Sequence, residues 1–224
     1  MANNLRVFNT NSEYQSADLV HPAVSYVIET DKVIYDYTPP TPVFQGKWKA
    51  TYQDSHVESA QCSSSSEIRQ NQINLVNLVS VEIGDCVTRI SDNVFNGCGS
   101  LTNIRISDNV RSIGDNVFYG CSSLTSINIP NSVTSIGKFC FQFGGLTSVT
   151  IGSGITSIGN GAFINCSNIT SVTINALNPP QVGSLTFKET SLIQGKYPIY
   201  VPSQSVEAYK SAWSQYAGRI QAIP

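Results

Sequence analysis

The side chains able to do chemistry are few, and most recur at one distance. Six cysteines (Cys62, Cys86, Cys98, Cys121, Cys140 and Cys166) stand beside only two histidines, His21 and His56. An even number of cysteines reads first as a disulfide framework. Their placing argues against it, because Cys98, Cys121 and Cys166 hold the same position in separate copies of one recurring string. The sequence has no Cys-x-x-Cys pair, and a zinc site needs four convergent ligands. Neither histidine adjoins a nucleophile elbow or a metal motif. Asp85 and Asp108, like Asp92 and Asp115, are also equivalent positions of successive copies. Stacked carboxylates could hold Ca²⁺, or they could be solvated bends between strands. The sequence thus predicts a protein that is not an enzyme, with no catalytic residue, no cofactor and no metal.

The 23-residue step organises the chain. It separates Val87, Val110 and Val133, then Ile90, Ile113 and Ile136, then Phe95, Phe118 and Phe141. The next copy, Ile155, Ile158 and Phe163, arrives one position early because QFGGL at 142–146 is shorter by a single residue than YGCSSL at 119–124. Leu78, Val81 and Ile83 precede Leu101, Ile104 and Ile106 by the full step, so four units and a half span residues 74–176. A period in the twenties means a solenoid, in which one coil cannot bury its apolar side without its neighbours. In LTSINI, Ile127 and Ile129 alternate inward on a short strand while Leu124 enters the same core from the preceding bend. Strands of successive coils then stack in parallel about 4.8 Å apart. SVTSIG supplies a second short edge, and GDNVFYGC a helical turn with Phe118 inward.

That register leaves an outward stripe two side chains wide: Ser80 and Glu82, Asn103 and Arg105, Ser126 and Asn128, Ser148 and Thr150, Ser171 and Thr173. The stripe offers hydroxyl and amide groups but no aromatic platform for a sugar ring and no apolar hot spot. It is either a solubilising face or a weak contact multiplied by repetition, with a host surface glycan or protein as the partner.

The string IGxxxFxxCxxLTxIxIPxxVTS, matched through residues 113–135, resembles the BspA-like branch of the leucine-rich repeat proteins. The tail YPIYVPSQSVEAYKSAWSQYAGRIQAIP at 197–224 resembles the segment that closes such arrays. The resemblance implies a mainly β, leucine-rich repeat solenoid over residues 74–176 with a strand-helix cap over 177–224. In the cap, Ser203 or Ser205 begins the helix, and Val206, Tyr209, Trp213 and Tyr216 share one face. It also implies that Cys98, Cys121 and Cys166 face inward, reduced, and bond to the backbone of the bend. Spacing alone leaves a Cys98–Cys121 bridge open, since adjacent coils come within bridging distance.

The chain before residue 70 lacks the repeat. LRVF reads as a strand, Thr10 with Glu13 as a capping box, and AVSYVIE with KVIYDY as a hairpin around Thr30 and Asp31. TPPTP at 38–42 punctuates the chain, FQGKWKATY at 44–52 reads as a further strand, and SAQCSSSSEI as a Ser-rich joint. The expected divisions are a β-rich head at 1–57 and a joint at 58–73. The head, through Thr10, Glu13, Tyr14, Val24, Ser25, Tyr26, Tyr35 and Tyr37, resembles an N-terminal module of accessory proteins encoded by phages of gut anaerobes. That resemblance implies a virion protein, such as a head fibre, decoration or tail-associated protein, attached to phage structural proteins through its head. Tyr26, Tyr35, Tyr37 and Trp48 are the candidate attachment residues, and a homo-oligomer would form through the same head. The alternative is a bacterial cell-surface or secreted adhesin. The opening residues hold no apolar stretch of secretory-signal length and no later stretch approaches a membrane span, which predicts synthesis in a cytoplasm. Charged residues make up only 12% of the chain and the net charge is −2, which provides no basic footprint for nucleic acid.

Overall fold

The computed structural model describes residues 47–55, 57–60, 66–70, 72–188 and 197–224 in full, and residues 7–8, 26–30 and 33–37 by their backbone. The chain divides into two compact units, Met1–Phe44 and Gln45–Pro224. In the first unit, β1 (Val7–Phe8) pairs in parallel with β2 (Tyr26–Thr30), and β2 pairs antiparallel with β3 (Val33–Tyr37). Tyr26 lies opposite Tyr37 and Ile28 opposite Tyr35. The Thr10–Glu13 capping box and the TPPTP segment lie outside the described residues.

The second unit begins with an antiparallel pair. In β4 (Trp48–Tyr52), Trp48, Ala50 and Tyr52 are buried while Lys49 is exposed, the alternation of a strand with one apolar face. It lies between β5 (Val57–Ala60) and β7 (Leu78–Ile83), opposite Trp48↔Ile83 and Ala50↔Val81 on the β7 side. β4 therefore covers the first coil of the solenoid, and the head boundary expected after residue 57 falls instead after Phe44. The later part of the predicted joint also belongs to the array: β6 (Glu67–Ile68) pairs with β8 (Arg89–Ile90), and Ile68 is fully buried.

From there each coil contributes one longer and one two-residue strand. The longer ones are β9 (Asn103–Arg105), β11 (Ser126–Ile129), β13 (Ser148–Ile151) and β15 (Ser171–Ile174). The short ones are β10 (Ser112–Ile113), β12 (Ser135–Ile136), β14 (Ser157–Ile158) and β16 (Gln181–Val182). The short strands form one continuous parallel sheet from β6 to β16, with Ile90, Ile113, Ile136 and Ile158 in register and buried. This sheet extends beyond residues 74–176 at both ends.

Between the strands a tight turn brings phenylalanines inward. Phe95, Phe118, Phe141, Phe163 and Phe187 form a stack with centroids 5.0–5.5 Å apart and planes within 11°. The spacing is that of the coils themselves, so identical rings must lie face over face. The turn backbone is also laddered: Phe118 N–H donates to Cys140 O at 2.8 Å and Phe141 N–H to Ala162 O at 2.8 Å. Where the sequence drops one residue, Gly145 N–H donates to Cys121 O, and a Cβ on Gly145 would lie 1.9 Å from Ser122 O. Only glycine lets the shortened turn approach so closely.

The far end is closed by aromatic packing. β17 (Ile199–Val201) joins β15, and β18 (Ile220–Ala222) joins β17. Between them α1 (Val206–Ala212) presents Tyr209 to the core; Trp213 and Tyr216 follow it in the next turns and are also buried. Trp213 donates its indole N–H to Pro180 O at 3.0 Å, and Tyr209 its hydroxyl to Ala176 O at 2.9 Å. Neither Ser203 nor Ser205 makes the expected side-chain cap; Ser205 is itself buried under the helix start. The core is one cluster running from Trp48 to Ile220.

Candidate binding surface

The predicted stripe exists as a register of paired residues. Ser80 lies opposite Asn103 and Glu82 opposite Arg105, while Ser126, Ser148 and Ser171 follow one another, as do Asn128, Thr150 and Thr173. Asn103, Arg105, Ser126, Asn128, Ser148 and Thr150 are exposed; Ser80, Glu82, Ser171 and Thr173 are half-buried. The structure lengthens both rows with residues that the repeat pattern does not reveal, because they lie outside it. Thr51 and Lys49 on β4 face Ser80 and Glu82, and Tyr200 on β17 follows Thr173. Lys49, Glu82 and Arg105 alternate in charge across three strands, with Arg105 Nη1 2.7 Å from Glu82 Oε1.

Continuity of the stripe fails at one place. The strand face is two sheets, β5-β4-β7-β9 and β11-β13-β15-β17-β18, and pairing stops between β9 and β11. Sequence contributes directly: Gly152 N–H donates to Ile129 O and Asn175 N–H to Ile151 O, but the equivalent residue one coil earlier is Pro130, which has no N–H. A recess of about 530 Å³ opens at this seam, lined by Asp85, Arg105, Asp108, Asn109, Asn128 and Pro130 among others.

Trp48, expected as an attachment residue of the head, is 6% exposed in the array unit and packs inside it. It therefore serves the core instead of an attachment surface. Tyr26, Tyr35 and Tyr37 are placed on β2 and β3 by their backbone. His21 and His56 lie outside the described residues.

Three of the recurring aspartates bond to the next coil. Asp92 accepts from Asp115 N–H at 2.9 Å and Asp115 from Lys138 N–H at 2.6 Å, while Asp85 accepts from the Ser107 hydroxyl at 2.6 Å. Stacked like charges are tolerated because each of these carboxylates carries a donor from the next coil. Among the described residues no group of three or more His, Cys, Asp or Glu side chains is placed to hold a metal ion.

The thiols divide into two kinds. Cys98, Cys121, Cys140 and Cys166 are free and buried. Cys121 donates to Phe95 O at 3.3 Å and Cys166 to Phe141 O at 2.9 Å, while Cys98 points to Leu75 O at 3.8 Å. Burial pushes the Cys98 thiol up to about 11 and Cys166 to about 12, and raises Cys121 and Cys140 as well. They are inert core groups. Cys86, which lies outside the recurring thiol position, is by contrast disulfide-bonded.

No helix among the described residues is long and apolar enough to cross a membrane. The sequence model of the BspA type leucine rich repeat region matches residues 57–211 in six copies. Among solved structures, the pneumococcal vaccine antigen PcpA is 18% identical, covering 90% of this chain and 48% of its own, with a TM-score of 0.51. A leucine-rich repeat protein from Bacteroides ovatus is 21% identical over 75% of this chain and 49% of its own, with a TM-score of 0.49. A T. pallidum leucine rich repeat protein is 20% identical over 83% of this chain and all of its own, with a TM-score of 0.38. The chain thus spans about half the length of the first two, and at 18% identity the likeness to PcpA concerns the fold alone. No curated protein matches the chain. The period, the inward Leu, Ile, Val and Phe positions and the family match agree: the chain belongs to the BspA-type leucine-rich repeat family.

Proposed function

We propose that this protein is a non-catalytic adhesion scaffold displayed at a bacterial surface, with the strand face as its docking side. The observation that carries the reading is the register of outward polar side chains in two laddered stretches, from Lys49 and Thr51 to Arg105 and from Asn128 to Tyr200, on either side of the seam. Residues fixed this way lose little freedom on binding, so weak polar contacts can add along the array. The Cys86 disulfide supports display in an oxidising environment, because such bonds persist outside the cytoplasm. The buried thiols do not oppose this, since burial protects them in either compartment.

The experiment is surface proteolysis of intact source cells followed by mass spectrometry of the released peptides. Peptides from residues 89–188 in the released fraction are expected. Their retention inside intact cells, with release only on lysis, would refute surface display.

A second reading rests on the division of the chain at Phe44. In it the first unit attaches the protein to phage structural proteins, or to copies of itself, and the array is displayed from a virion. Mass spectrometry of purified virions from the same source separates the two, since the protein should co-purify with particles only under the second reading.

A further inference from the structure

We infer a carbohydrate-binding platform on the turn face of the third coil, built on Phe143 and Tyr119. It is separate from the strand face and goes beyond the adhesion reading above.

Each coil ends its turn with a left-handed residue: Gly97 (φ 78°), Gly120 (φ 68°), Phe143 (φ 57°) and Asn165 (φ 61°) in four successive coils. Glycine and asparagine adopt this conformation readily, whereas a bulky side chain there is an outlier. The same coil repeats the anomaly four positions earlier. Asn93, Asn116, Phe139 and Gly161 are the equivalent left-handed positions, and the ring of Phe139 lies where a Cβ on Gly161 would be 2.6 Å from it. Of these four coils only the third carries two left-handed phenylalanines. The fold is satisfied by Gly or Asn at these places in the neighbouring coils, so the rings answer a need other than folding. Strain retained against a cheaper alternative marks functional sites.

What the strain places on the surface is specific. Phe143 is 49% exposed, and its ring meets Tyr119 of the preceding coil edge to face, 5.6 Å between centroids at 84°. Tyr119 itself is half-buried, and the equivalent positions in the adjoining coils are Asn96 and Gln142, also half-buried. Two rings bordered by side-chain amides present the two contacts that a pyranose takes: axial C–H groups against a ring face, and hydroxyls hydrogen-bonded to amides. Two aromatic side chains expose a few hundred Å² at most, well under the roughly 800 Å² per partner of a stable protein complex. A chain with only 12% charged residues and a net charge of −2 likewise lacks the charge that would draw a nucleic acid or an anionic membrane.

The test is a glycan microarray of bacterial and mucosal oligosaccharides probed with the full chain, in parallel with thermal melting. Wild type should retain at least one pyranose glycan. Phe143→Asn and Tyr119→Asn should each reduce retention tenfold or more. Phe143→Asn should melt at the wild-type temperature or up to about 4 °C higher, because asparagine relieves the left-handed strain. Leu177→Asn, which removes an exposed apolar side chain outside both faces, should leave glycan retention unchanged, whereas a glycan held by the strand face would be lost in Asn128→Ala and kept in Phe143→Asn, so failure of the adhesion reading and failure of this one give different patterns. The inference is overturned if wild type retains no glycan, including the case where it captures only proteins. It is also overturned if Phe143→Asn retains glycan within twofold of wild type, or melts more than about 4 °C lower, which would make Phe143 a packing residue.

Discussion

Removing the indole of Trp213 should open the solenoid from its C-terminal end. Trp213 is 2% exposed, tilted against Phe187 at 5.7 Å and edge-on to Tyr209 at 5.0 Å, so it terminates the stack of phenylalanines. Truncation of a buried Trp to Ala costs about 3–5 kcal/mol. Loss of the indole N–H bond leaves Pro180 O without that donor and adds about 1 kcal/mol. The sum, about 5 kcal/mol, is a large share of a typical stability of about 5–15 kcal/mol. For a unit of this size it corresponds to a fall in Tm of roughly 10–20 °C. Because each coil of a solenoid contacts only its neighbours, the damage should be graded along the array. Hydrogen exchange with mass spectrometry on Trp213→Ala should show protection lost first in residues 171–187 and last in residues 78–90. Trp213→Phe, which keeps a ring but not the N–H, should fall between wild type and Ala. A Trp213→Ala protein with an unchanged denaturation midpoint, or with protection lost evenly from β7 to β16, would refute the capping argument.

The thiols give a pH prediction. The folded Cys98 value of about 11 lies above its ordinary 9.0, so the unfolded chain releases the proton first. Its contribution to stability is complete below about pH 9 and should decline as pH rises from 9 through 11, read as a falling denaturation midpoint. At pH 7.5 Cys98, Cys121 and Cys166 should resist alkylation until denaturant is added, and rapid native labelling of all three would contradict their inward placement. Gly145→Ala forces a Cβ to within 1.9 Å of Ser122 O and should destabilise by about 1–3 kcal/mol in urea titration; a neutral result would mean that the shortened turn has room to relax. A fragment starting at residue 45 should fold as an array, whereas one starting at 58 loses β4 and uncovers Leu78, Val81 and Ile83. Equal melting of the two fragments would place the start of the solenoid back after residue 57.

Much of the architecture was legible because a solenoid writes its core as a period. Val87, Val110 and Val133, or Phe95, Phe118 and Phe141, must be alike because each fills the same site against its own copies one coil away. The one-residue deletion at 142–146 and the aromatic set Tyr209, Trp213 and Tyr216 could be assigned for the same reason: a register slip or an open end has few local solutions. Trp48 was different. Its strand alternates apolar and polar residues, which says that one face is buried but not against what, and only the pairing with β7 assigns it to the array and not to the head. The break in the strand face at Pro130 was equally hidden, because a proline at a strand end is ordinary until the neighbouring coil shows which N–H is missing. Phe143 looked like one more apolar residue in a shortened repeat. Its positive φ and its exposed ring depend on where the turn closes in three dimensions, and that closure is set by hydrogen bonds between coils, Gly120 N–H to Gln142 O and Gly145 N–H to Cys121 O. Periodicity encodes what each coil shares with the next; what a single coil does differently depends on contacts between coils, and those exist only once the chain has wound.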